Sequence, residues 1–179
     1  MIQRNFWRNV LPSVIAFAFS GVYSIVDGMF VGQGVGDAGL AAINVAWPVT
    51  ALVQALGTGL GMAAAVVLSV CIGRRDAAEE HRALGSTAVL LLLAGVLSTA
   101  LLALLYRPLL PLLGAEGSVL AYADSYTRVI VLGSLFQVLG TGLVPLLRTY
   151  DGADAAMCSM TAGFLTNVCL LYTSDAADE

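Results

Sequence analysis

The sequence predicts an all-α membrane protein, a polytopic helical bundle of about five transmembrane helices. Three observations carry that expectation. Of the 179 residues, 59% are hydrophobic and only 11% are charged, against roughly 25% charged residues in a soluble domain. The apolar residues fall into long runs separated by short polar breaks, and a span needs about 20 of them to cross a hydrocarbon core of about 30 Å. The alternating segments of about ten residues that mark a membrane barrel are absent. This composition excludes a disordered chain, a nucleic-acid binder and an ordinary cytosolic enzyme. Because every face of each run is apolar, length rather than periodicity assigns the helices.

The first span covers about residues 10–31. Arg4 and Arg8 precede it and Ala16-Phe17-Ala18 lies within it, a pattern that imitates a signal peptide. The run continues well past that would-be cleavage site, so it is read as a retained span. Gly32, Gly34, Gly36 and Gly39 follow. With no Lys after them and no strand before them they are not a phosphate loop, and a tight hairpin is expected. The second span covers about 44–72, with Pro48 near its start and Gly57, Gly59 and Gly61 within it. Such small residues let membrane helices approach closely; a flexible gating point is the alternative.

The third span runs over about 86–106, and Pro108 and Pro111 are placed in the turn after it. The fourth runs over about 122–147, with Arg128 near one end, where a long side chain snorkels to water. Gln54 and Gln137 sit in mid-span and are expected to hydrogen-bond between helices. The fifth span starts near residue 155.

Orientation follows from arginine. Arg4, Arg8, Arg74, Arg75, Arg82 and Arg148 fall on one side, and only Arg107 clearly falls on the other. Basic residues favour the cytoplasm, so the N-terminus is expected inside, in a cell (inner) membrane. The net charge of −4 implies no charged partner, because Asp175, Asp178 and Glu179 crowd the end of the chain and the rest is close to balance. Residues 169–179 resemble the translation of a sequencing-library adapter, so a non-native tail is expected there, with the native frame ending near Val168. Cys71, Cys158 and Cys169 form no metal or disulfide spacing.

Asp27 is the most informative residue. It lies fifteen residues beyond Pro12, roughly 22 Å along a helix. A carboxylate at membrane depth costs about 2.5–3.5 kcal/mol at the centre and less near the surface. Such a residue faces a cavity, binds a cation or carries a proton, unless it merely reaches interfacial water. Ser20, Tyr23, Ser24 and Asp27 recur at helical spacings and make one polar stripe. Met160, Phe164 and Asn167 share a face of the fifth segment; Met and aromatic side chains suit an adaptable binding surface, and ordinary packing accounts for Met160 and Phe164 equally well. Pro12 is either a harmless first-turn proline or a hinge. No nucleophile set, zinc spacing or second membrane aspartate for an aspartyl protease is present, so no enzyme is expected.

Several stretches together resemble the multidrug and toxic compound extrusion (MATE) transporters. They are Ser24-Ile-Val-Asp-Gly-Met-Phe-Val-Gly32, Gly39-Leu-Ala-Ala-Ile-Asn-Val-Ala-Trp-Pro48, Leu112-Leu-Gly-Ala115, Arg148 with Gly152, and Phe164-Leu-Thr-Asn167. The resemblance covers residues 5–168 and implies the first four helices and part of the fifth from a six-helix lobe. It implies export of small amphipathic or cationic drugs by antiport against Na⁺ or H⁺, with no resident cofactor. It places the ion-coupling acid, a possible Na⁺ site, on Asp27, a helix-five asparagine on Asn167 and a bend-forming proline on Pro12. Ser20, Tyr23, Met160 and Phe164 are then expected to line the substrate cavity. The aspartate that many relatives carry four residues beyond the asparagine is Leu171 here, a departure inside the suspected tail. The implied partners are the lipid bilayer and a C-terminal lobe of the same polypeptide, without which no transport is expected. A flippase for lipid-linked precursors and a non-transporting membrane anchor or assembly subunit are the alternatives.

Overall fold

The computed structural model describes residues 2–150 and 152–178. Five helices follow one another: α1 (Ile2–Gly34), α2 (Asp37–Arg74), α3 (Ala77–Leu112), α4 (Gly117–Thr149) and α5 (Ala153–Asp178). Each outruns its apolar stretch. The hydrocarbon core takes up only about 20 residues, and the remaining turns carry the polar ends. Among the described residues, α2, α3 and α4 are each long and apolar enough to cross a membrane. Their outward sides stay apolar as well: Leu93, Leu97 and Leu104 of α3 are 61%, 68% and 78% exposed. Such a surface suits lipid and would promote association in water.

The connections are short because a few residues do the turning. Between α1 and α2 only Val35 and Gly36 are non-helical, and Gly36 adopts a φ of +77° that favours glycine. The connection is as short as expected, but Gly32 and Gly34 belong to α1 and Gly39 is buried in the first turn of α2. Asp76 caps α3, accepting a hydrogen bond from the Glu79 amide at 3.1 Å. Pro108 and Pro111, expected in the next turn, lie inside α3 instead. Each removes one helical hydrogen bond, which is tolerated near a polar helix end where water reaches the freed carbonyl. The chain leaves α3 at Gly114, with a φ of +95°.

The chain divides into two compact units, one holding α1 and α5 and the other α2, α3 and α4. In the α2–α4 unit, α4 packs against both neighbours. Ala42, Ala46, Val49, Val53, Gly57, Gly61 and Leu68 of α2 are buried at spacings of three, four and seven. A methyl group at Gly57 would meet the Thr141 side chain and come within 2.7 Å of the Val138 carbonyl oxygen. One at Gly61 would meet the Gly142 carbonyl oxygen and lie 2.8 Å from its Cα. Close backbone approach therefore explains these two glycines, whereas Gly59 has nothing within 4 Å.

Polar atoms in this unit are few. Thr99 of α3 and Ser134 of α4 share a hydrogen bond of 2.7 Å, each also donating to or lying near its own helix carbonyls. Thr127 is fully buried, and its hydroxyl has no hydrogen-bond partner among the described residues. The expected amide bonding gives way to hydroxyls in mid-span: Gln54 is exposed and Gln137 half-buried, and the α3–α4 bond there joins Thr99 and Ser134. At the far end Arg107 reaches Asp124 at 3.4 Å and donates to the Tyr106 hydroxyl at 3.2 Å.

Candidate functional site

The two helices expected to carry the site, α1 and α5, pack together as one unit. Along α1 the exposed positions include Val14, Val22, Ile25 and Met29, which recur at helical spacing and form an apolar, lipid-compatible side. Ile25 is 73% exposed, whereas Asp27 is half-buried. Two residues correspond to about 200° of helical rotation, so Asp27 lies nearly opposite Ile25. Val26, Gly28 and Val31 beside Asp27 are likewise half-buried. The carboxylate thus sits on the covered side of its helix, where a charged form is costly unless it meets a cation or a proton.

The covered side of α5 is built from Ala156, fully buried, with half-buried Met157, Met160, Thr161 and Phe164. Their spacing of three to four residues follows one helical stripe. Met160 and Phe164 therefore occur on the packed side, and Thr161 is an addition that a search for Met and aromatic residues passes over. Opposite them Leu165 is 56% exposed. The side chains of Pro12, Ser20, Tyr23 and Asn167 lie outside the described residues; the α1 backbone is helical at positions 12, 20 and 23, and the α5 backbone at 167. Ser24, the other member of the polar stripe, is exposed and takes part in a polar or ring interaction.

Chemically, the unit offers one carboxylate within the span of α1 and a sulfur- and ring-bearing stripe on α5. Among the described residues no group of three or more His, Cys, Asp or Glu side chains is placed to hold a metal ion. A lone carboxylate can exchange a proton or coordinate a monovalent cation with neighbouring carbonyl and hydroxyl oxygens. It cannot by itself perform the paired-carboxylate chemistry of an aspartyl protease.

Comparison with known proteins identifies the family. The model of the MatE family matches residues 12–173. The multidrug export protein MepA of Staphylococcus saprophyticus is 25% identical over 161 residues, covering 89% of this chain and 36% of that protein. The FAD transporter of Shewanella oneidensis is 29% identical over 161 residues, covering 89% of this chain and 35% of its own length. Among solved structures, a MOP superfamily transporter from Pyrococcus furiosus superposes with a TM-score of 0.86 at 29% identity, covering 92% of this chain and 36% of that one. The chain spans little more than a third of the length of these relatives.

Proposed function

Because the chain belongs to the MatE family of membrane transporters, we propose that its helices serve the export of small amphipathic or cationic drugs by Na⁺- or H⁺-coupled antiport. Asp27 is the coupling carboxylate in this reading. The observation that carries it is the placement of Asp27 on the covered side of α1, in one unit with the Met160 and Phe164 stripe of α5. Ser20 and Tyr23 extend the polar stripe of α1, Asn167 adds a polar group on α5, and Pro12 permits α1 to bend. Binding of a proton or Na⁺ at Asp27 shifts the balance between outward- and inward-open states, by no more than the ion's differential affinity for them.

Alternating access in transporters built from repeats works around a site between the repeats. A chain covering 36% of its relatives supplies one side of such a site. Transport therefore needs a second lobe, and the 179 residues by themselves do not complete the cycle. The arginine bias supports a cytoplasmic N-terminus in a cell (inner) membrane.

The test is efflux of a fluorescent cationic dye from cells expressing the two-lobed transporter with Asp27→Asn. Ion-driven efflux is expected to vanish while the protein still reaches the membrane at its usual level. Undiminished ion-driven export by that variant would overturn the assignment.

A further inference from the structure

At the arginine-rich end of the α2–α4 unit, the last turns of α2 and the first turn of α3 enclose an open groove of about 320 Å³. That is within the range of small-molecule sites, about 300–1,000 Å³. Its walls are of two kinds. Val66, Val67 and Val70 form an apolar stretch, and all are exposed. Arg74, Asp76 and Glu79 line the polar end. From Val66 to Arg74 is eight residues, about 12 Å of helix. The groove therefore passes from acyl-chain surroundings to head-group surroundings along one side of α2.

The polar end is amphoteric. Arg74 offers a planar fork of donors suited to a phosphate, and it has no ion pair among the described residues. Asp76 uses one carboxylate oxygen to cap α3, at 3.1 Å from the Glu79 amide, which leaves the other oxygen available. Glu79 has only an exposed contact of 3.7 Å with Arg82, a kind of pair that contributes little. One cation beside two carboxylates complements a head group with a phosphate and a hydrogen-bonding ammonium. A purely anionic head group would face both carboxylates, and a quaternary ammonium has no N–H to donate to them.

We propose that this groove is a binding site for a phosphoethanolamine lipid, its phosphate on Arg74, its ammonium between Asp76 and Glu79, and its upper acyl chain along Val66, Val67 and Val70. The site is independent of the transport reading and of which leaflet it faces.

Cys71 lines the same groove and supplies a reporter. The full chain, with Cys158→Ser and Cys169→Ser, is placed in nanodiscs of phosphatidylcholine mixed with either phosphatidylethanolamine or phosphatidylglycerol, and Cys71 alkylation by a maleimide is timed. Lipids retained after mild detergent extraction from an equimolar mixture are counted by native mass spectrometry. Phosphatidylethanolamine is expected to slow alkylation and to be retained about fivefold over phosphatidylglycerol, the size of one or two exposed ion pairs. Asp76→Asn with Glu79→Gln, which keeps the helix cap, should abolish that preference, and Arg74→Gln should lower retention of both lipids. Circular dichroism confirms that the variants remain helical. Equal retention of the lipids, or a preference that survives the double substitution, would overturn the proposal.

Discussion

In the α2–α4 unit, some glycines mark where one backbone lies against another. Gly57 and Gly61 leave no room for a methyl group beside Val138, Thr141 and Gly142. In the α1–α5 unit, Gly21 and Gly28 have nothing within 4 Å, and Ala156 is the one fully buried residue among those described. The polar residues divide in the opposite sense. The first unit hides hydroxyls, as at Thr127 and Ser134, and ion-pairs its half-buried Asp124 with Arg107, while the second keeps Asp27 half-buried with no ion pair among the described residues. Close small-residue packing gives a rigid scaffold, since interlocked backbones have few alternative arrangements. A loosely buried carboxylate keeps access to ions and can respond to them. The difference teaches that close backbone packing and the half-buried Asp27 fall on different helices of this chain.

The largest effect that tests this contrast is a methyl group added to each kind of glycine. Gly57→Ala and Gly61→Ala should each cost about 1–3 kcal/mol by overpacking, read as a lower unfolding midpoint in detergent. Gly59→Ala and Gly21→Ala should be neutral or gain up to about 1 kcal/mol from helix propensity. Equal tolerance at all four positions would break the contrast.

A second test uses the buried hydroxyl of Thr127. Replacing it by Val keeps the shape and removes an unpaired donor, so Thr127→Val should raise stability by about 1 kcal/mol in the same assay. A loss of that size would show that the hydroxyl has a partner. The smallest effect is the Thr99–Ser134 bond. A double-mutant cycle with Thr99→Val and Ser134→Ala should give a coupling of about 0.6 kcal/mol, typical of membrane hydrogen bonds. Zero coupling would remove hydroxyl bonding from the account of how α3 meets α4.

Much of the fold was legible in the sequence, because span length is a one-dimensional property. The five helices follow from the apolar runs, and Asp27 stands out because charge is costly in lipid. What pairs with what was not legible. Gly57, Gly59 and Gly61 look equivalent on paper, yet a two-residue step turns a helix by about 200°. Only Gly57 and Gly61, four apart, can face α4. Pro108 and Pro111 read as turn residues, because sequence alone does not show that α3 continues through both of them to Leu112. The Thr99–Ser134 bond joins residues 35 apart in the chain, and each hydroxyl by itself looks like an ordinary helix residue bonded to its own backbone. On α5, the expected Met160 and Phe164 share their covered side with Thr161, a residue with no distinctive chemistry to flag it.

In the proposed function, Asp27 carries ion coupling and contributes little to stability. The most direct measurement is the ion released when a cationic drug is added to the purified two-lobed transporter, followed with a pH dye and with a Na⁺-sensitive probe. Asp27→Asn is compared with the unaltered protein, and the unfolding midpoint of each is recorded. The expected result is loss of drug-induced ion release with the midpoint essentially unchanged. Ion release of undiminished size from the Asp27→Asn transporter would contradict the account.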